Sequence, residues 1–248
     1  MYRNIKKVAV IGAGVMGAGI AAQVANGGVP VVLLDIVPKD PAADRNAIAA
    51  GAVEKMLKAQ PAAFMSKAAA KLVTTGNIED HLGLLADCDW IVEAIIERLD
   101  LKQALYARIE AVRKPGSVVS SNTSTIPLAK LIVNLPPDFG EDFLITHFFN
   151  PPRYMRLLEI VSGDKTRPAT VETIDHFGEI VLGKSCVHCK DRPGFIANRL
   201  GVLWLQASVV EAIDLGLEVE EADAIVGPPM GIPKTGVFGL LDLVGLGD

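Results

Sequence analysis

The chain has 248 residues, half of them hydrophobic, which suffices for a sizeable core and excludes disorder of the whole. A net charge of −5, from 29 acidic against 24 basic side chains, supplies no basic field for nucleic acid or an anionic membrane. Three cysteines are too few, and odd in number, for a disulfide scaffold, so the thiols read as reduced and the chain as cytoplasmic. The low aromatic content with abundant Ala, Val, Ile and Gly suits buried parallel strands.

No charged residue occurs between Val8 and Leu34, yet Gly12, Gly14, Gly17, Gly19, Gly27, Gly28 and Pro30 interrupt the stretch. So many helix breakers exclude a continuous membrane helix. The stretch instead divides into a strand over 8–11, a Gly-rich turn, a helix over 18–25 and a strand over 31–34 ending at Asp35. Residues 44–72 predict a helical pair broken at Pro61, and 73–75 a further strand. Strand 90–95 precedes helix 97–112, where Leu101, Leu105 and Ile109 recur every fourth residue. Strand 117–121 runs into Asn122-Thr123-Ser124-Thr125, and Pro127 opens a short helix. Strands over 143–146 and 157–161, helix 169–182 and strand 186–190 follow. Beyond Pro193-Gly194 the pattern is helical alone, over 195–215 and 218–226, and the chain ends at Asp248 without a closing helix.

This order predicts an α/β fold: a Rossmann-type, doubly wound, mostly parallel sheet over 1–189, then a partial all-α domain over 190–248. Gly12-x-Gly14-x-x-Gly17 follows a strand, opens a helix and has Asp35 at the end of the next strand, the context of a dinucleotide-binding turn. Gly12 permits the turn, Gly14 lets backbone approach a pyrophosphate, and Gly17 lets helix pack on strand. Asp35 can accept hydrogen bonds from ribose hydroxyls and repels a 2′-phosphate, which favours NAD over NADP despite nearby Lys39.

His147 ends a strand at the sheet edge where α/β folds place ligands. Glu159 is a lone acid in an apolar strand and needs a partner. A strand–turn–strand path brings it back toward His147, as a general base requires; a structural Glu159 and a surface His147 are the competing reading. Ser124 either serves the site or caps the following helix. Cys186-x-x-Cys189 lacks a second pair, so no metal site is expected.

The segments Gly12-Ala13-Gly14-Val15-Met16-Gly17, Val92-Glu93-Ala94-Ile95-Ile96-Glu97, Ser121-Asn122-Thr123-Ser124, His147-Phe148-Phe149-Asn150-Pro151 and 190–199 stand in one order along nearly the whole chain. Together they resemble the L-3-hydroxyacyl-CoA dehydrogenase family. The resemblance implies NAD-dependent oxidation of an L-3-hydroxyacyl-CoA to the 3-ketoacyl-CoA in fatty acid β-oxidation. It implies His147 as base, Glu159 as its orienting partner, Ser124 on the reacting oxygen and Asn198 on the substrate. It also implies that Glu97, Lys102 and Asn150 reach the ribose and nicotinamide end of NAD, with Val15 and Met16 in the pyrophosphate loop. The family's helical domain is longer and dimerises. A fragment is therefore expected, homodimeric through that domain, and the wording of 151–156 is similar to bifunctional members that carry an enoyl-CoA hydratase region. The competing functions are a dehydrogenase of a small free hydroxy acid or sugar acid, and a non-catalytic nucleotide-binding protein.

Overall fold

The structure is a computed structural model that describes residues 2–232 and 234–244. The chain divides into two compact units, residues 1–193 and 194–248. In the first, strands β1 (Val8–Ile11), β2 (Val31–Asp35), β3 (Val73–Asn77), β4 (Trp90–Glu93), β5 (Val118–Ser121), β6 (Phe143–Phe148), β7 (Leu157–Ser162) and β8 (Ser185–Cys189) form one sheet. Its order is β3-β2-β1-β4-β5-β6-β7-β8. All neighbours pair in parallel except β6 and β7, which pair antiparallel.

The central strands are near-continuous apolar runs because helices cover both faces of a parallel sheet, leaving no solvent face for alternation. Every residue of β1, β4 and β5 is buried, and each large aliphatic side chain so placed contributes roughly 1.5–3 kcal/mol. Trp90 lies at the centre, its indole N–H donating to Ser120 Oγ at 2.9 Å, which removes the cost of a buried unpaired donor. Helix α1 (Val15–Asn26) packs against β1 and β2 through small buried residues, among them Gly17, Ala18, Ala21 and Ala25. Helices α2 (Ala47–Lys58), α3 (Lys67–Ala70), α4 (Leu99–Glu110), α5 (Leu128–Leu131), α6 (Pro137–Glu141) and α7 (Pro168–His176) complete the unit.

Several elements depart from the sequence expectation. The helical pair over 44–72 is α2 and the single turn α3. Between them Asn26 holds the chain in irregular form through Ala63 O and Met65 N. The strand expected over 90–95 stops at Glu93, whose carboxylate accepts the Ile95 amide at 2.8 Å and turns the backbone away. The helix expected over 169–182 ends at His176 and passes into a π turn, Phe177–Val181. There Gly178 lies so close to Cys186 Sγ and Leu158 that a Cβ would not fit. Helix α6, with Pro137 in its first turn, was not expected.

The second unit holds helices α8 (Ala197–Asp214), α9 (Val219–Ile225) and α10 (Phe238–Val244). The expectation of a chain end without a closing helix is corrected by α10. Its start is anchored by Asp223, whose carboxylate accepts the amides of Val237, Phe238 and Gly239 at 2.6, 2.7 and 2.9 Å. This carboxylate satisfies helix N-terminal donors and complements the helix dipole, a pairing across fourteen residues that no local pattern displays. Among the described residues no helix is long and apolar enough to cross a membrane.

Candidate active site

The C-terminal ends of β1, β2, β4, β5 and β6 converge on one edge of the sheet, and the expected residues of the first unit gather there. Gly12 takes φ +103°, in the left-handed region, and a Cβ at this position would run into the Ala94 carbonyl. At Gly17 a Cβ would meet the Gly12 carbonyl, whereas at Gly14 it would meet nothing within 4 Å. Two glycines are thus required by packing, and the third leaves open space in front of the helix. Gly14 is the N-cap of α1 and offers no side-chain cap, so the first-turn amides, those of Val15, Met16 and Gly17, face that space.

Asp35 ends β2, its carboxylate accepting the amides of Ala13 and Ile36. It borders a cavity of about 430 Å³ lined by Gly12, Gly14, Ile36, Ile78 and Leu101 among others. Arg108, unnoticed in the sequence, also lines it and is fixed by Glu79 at 3.1 Å and the Ile78 carbonyl at 2.7 Å. The open cradle, the free-standing helix terminus and the carboxylate beside an apolar slot fit the pyrophosphate, ribose and base of a dinucleotide.

A buried polar network lies beside this slot. Glu93, 0 % exposed, binds Lys102 Nζ at 2.6 Å, Ser121 Oγ at 2.7 Å and the Tyr106 hydroxyl. Burial, then the Glu93 charge, pushes the Tyr106 phenol well above its ordinary range. Lys102, 1 % exposed, also lies 3.3 Å from Glu97 Oε2. Glu97 Oε1 in turn accepts the Thr123 hydroxyl, the Thr125 hydroxyl at 3.0 Å and the Ser124 amide at 3.3 Å. Burial raises the Glu97 carboxyl, but the Thr123 hydroxyl and the Lys102 charge outweigh it, and the group lies below the ordinary carboxylate range. The turn carrying Ser124 is therefore clamped by a carboxylate that is itself held by a buried lysine.

His147 and Glu159 are directly opposed in the antiparallel β6–β7 pair, and His147 Nδ1 lies 2.8 Å from Glu159 Oε2. Both are buried. Since the carboxylate can only accept, Nδ1 carries the proton in the neutral ring. The Phe149 ring meets the imidazole edge-on at 4.5 Å, and Asn122 Oδ1 accepts the Phe148 amide at 2.9 Å, tying β6 to the turn after β5. Asn150 is exposed in the turn that follows.

The first unit thus brings together His147 and Glu159, Ser124 and Glu97, and the glycine loop with Asp35. Lys102 stands behind Glu97. Asn198 belongs to the second unit, as the half-buried second residue of α8. Glu93, Tyr106, Ser121 and Asn122 were missed as site residues. Glu93 had a signal, since an acid closing an apolar strand must have buried partners, and Lys102 and Tyr106 stand four apart on one helix face. Among the described residues no group of three His, Cys, Asp or Glu side chains could hold a metal ion.

A family model described as 3-hydroxyacyl-CoA dehydrogenase, NAD binding domain, matches residues 7–192, and the corresponding C-terminal domain matches 194–247. A Deinococcus radiodurans protein named "Probable 3-hydroxyacyl-CoA dehydrogenase" is 49% identical over 98% of this chain and 70% of its own length. A Rickettsia felis protein, assigned by its name to a trifunctional enzyme of a fatty acid oxidation complex, is 44% identical over 99% of this chain. The chain spans 34% of that protein. The crystal structure of M. tuberculosis FadB2 superposes with a TM-score of 0.82 at 31% identity, covering 98% of this chain and 84% of that one.

Proposed function

The chain belongs to the 3-hydroxyacyl-CoA dehydrogenase family, and on that premise we propose that it oxidises the 3-hydroxyl of an L-3-hydroxyacyl-CoA with NAD. The observation that carries this reading is the buried His147–Glu159 pair at the ligand-facing edge of a sheet matched as an NAD-binding domain. With Nδ1–H donating its hydrogen bond to Glu159, the basic lone pair lies on Nε2. His147 accepts the hydroxyl proton there, and the electrons of the O–H bond form the new carbonyl as C3 gives up its hydride. Bound NAD supplies the carbon that accepts the hydride. Glu159 holds the ring in one tautomer and stabilises the imidazolium that forms.

The turn clamped by Glu97 presents Ser124 to the reacting oxygen, and Asn198 helps hold the substrate. Gly12, Gly14 and Gly17, with the amides of Val15 and Met16, seat the pyrophosphate. Asp35 takes the ribose hydroxyls, and Glu97 and Asn150 orient the nicotinamide end. Lys102 acts through Glu97 rather than by contact, because its ammonium is already enclosed by Glu93 and Glu97.

The same reading assigns the reaction to fatty acid β-oxidation in the cytoplasm, with an enoyl-CoA hydratase region elsewhere in the whole protein; the name of the Rickettsia relative supports fatty acid oxidation and more than one activity in a longer chain. It also assigns a homodimer formed by the helical unit, where α8 leaves Leu200, Leu203 and Ile213 exposed. The test is NADH production by the full-length protein, supplied with NAD and a series of L-3-hydroxyacyl-CoA thioesters or the matching free hydroxy acids. Turnover of thioesters alone supports the proposal. Faster oxidation of the free acids would replace it with the hydroxy-acid reading.

A further inference from the structure

Lys184 stands outside every motif that led to the site. It lies between α7 and β8, is 5 % exposed, and has no carboxylate within ion-pair distance among the described residues. Its ammonium instead donates to two backbone carbonyls, those of Pro152 and Met155, the latter at 2.8 Å. It also sits 5.8 Å from the centroid of the Phe148 ring. The amide of Lys184 is fixed by the Gly178 carbonyl at 2.8 Å, so the side chain projects from a rigid base.

Both carbonyls belong to the 149–156 turn that joins β6 to β7, and therefore joins His147 to Glu159. The turn is pinned elsewhere as well. Pro152 lies over Gly19 of α1, where an added Cβ would approach its ring to 2.8 Å. Arg153 Nη1 donates to Ala62 O at 2.6 Å and Phe64 O at 3.0 Å, and the Tyr154 hydroxyl donates to Ala62 O at 2.8 Å. Lys184 adds a further anchorage, its ammonium bound to the Pro152 and Met155 carbonyls beside the Phe148 ring.

Lysine at this place gives donors to two backbone carbonyls, and it does so at a cost. An ammonium enclosed without a counter-charge is costly, and methionine fills similar space without that cost. Burial brings the Lys184 pKa down to about 8, the expected sign of that cost. What lysine adds is a set of tetrahedrally arranged donors that can reach two carbonyls and an aromatic face from one point.

We propose that Lys184 is a positioning residue of the reaction, its ammonium setting the 149–156 turn so that Phe149 keeps its place against the His147 ring. This rests on the dehydrogenase reading, since positioning is defined here by the oxidation of a 3-hydroxyacyl-CoA. A small misplacement of groups around reacting atoms costs far more in turnover than in binding. The slot bordered by Asp35 is lined by neither Lys184 nor any residue of the 149–156 turn, so NAD affinity should not sense the change.

The experiment compares full-length wild type with Lys184→Met and Lys184→Arg. It measures hydrogen exchange of the amides of 149–156 without ligands, kcat and KM for an L-3-hydroxyacyl-CoA, and Kd for NAD. Lys184→Met should speed exchange in this turn about tenfold while β1 and α1 stay protected, and lower kcat about tenfold with the NAD Kd within about twofold. Unchanged exchange in the turn, or kcat within about twofold of wild type, overturns the proposal. If Lys184→Met does not fold, Lys184→Arg decides: it keeps the charge but displaces the donors, so kcat should fall about threefold or more, and an unchanged kcat refutes the role. A wild type that oxidises no 3-hydroxyacyl-CoA removes the dehydrogenase reading instead, and exchange in the turn still reports whether Lys184 holds it.

Discussion

Replacing Glu93 by Gln tests the buried network at its root. The substitution keeps shape and removes one charge. Glu93 accepts from Lys102 at 2.6 Å, Ser121 at 2.7 Å, the Ile95 amide at 2.8 Å and Tyr106. The amide oxygen of Gln can keep two of these, and the Ser121 and Tyr106 hydroxyls can rotate to accept from its NH2. Lys102 cannot adapt, because an ammonium has no acceptor and is 1 % exposed. Removing one partner of a buried pair costs about 3–5 kcal/mol, since the other charge stays behind without compensation. Glu97 Oε2, 3.3 Å from Lys102, retains part of the interaction, which places the loss near the lower limit, about 3 kcal/mol. At about 2–4 °C per kcal/mol for a chain of this size, Tm should drop by about 6–12 °C. Thermal and urea unfolding of wild type, Glu93→Gln, Lys102→Met and the double variant measure it. The double variant should be more stable than Glu93→Gln alone, because it removes the stranded charge. A Glu93→Gln loss below about 1 kcal/mol, or a double variant less stable than both singles, refutes the reasoning.

At the opposite end of the sheet, Asp142 is buried among Arg113 at 3.1 Å, Arg3 at 3.6 Å and Arg167. Asp142→Asn should therefore destabilise the fold by about 3 kcal/mol in urea unfolding without changing the NAD Kd. NAD should bind at least about tenfold more tightly than NADP in calorimetric titrations, about 1.4 kcal/mol, and Asp35→Ser should shrink the ratio. Burial pushes the Cys88 thiol up to about 11 and the Cys186 thiol up to about 12, so both are protonated at pH 8 and should react slowly with a disulfide reagent. Unfolding in urea restores ordinary thiol pKa values, and labelling at the same pH should accelerate by orders of magnitude.

Much of the fold was legible because parallel strands and small-residue helices leave uninterrupted local patterns. The run Val8 to Ile11, the glycine turn and Asp35 fall on β1, the start of α1 and the end of β2. The His147–Glu159 pairing was also readable, since a lone acid in an apolar strand beside a strand-ending His has few other places to satisfy its charge. What escaped depends on long-range partners. Asp223 initiates α10 from another helix. Asn26 holds an irregular segment nearly forty residues away. The π turn carries Gly178 where Cys186 Sγ leaves no room for a Cβ. The Lys184 ammonium binds carbonyls of Pro152 and Met155, about thirty residues earlier in the chain, a contact that no local pattern displays.

The central claim is that His147 and Glu159 form one proton-transfer unit, and it is tested most directly by turnover of His147→Gln, Glu159→Gln and the double variant in the full-length protein. The substrate is an L-3-hydroxyacyl-CoA, and NAD affinity is measured alongside. His147→Gln should leave NAD binding within about twofold and lower kcat by about 10² or more, the scale for loss of a general base. Glu159→Gln should lower kcat as well, and the double variant should be little worse than His147→Gln, because both substitutions disable the same unit. Near wild-type turnover in His147→Gln, or losses that multiply in the double variant, would contradict the account.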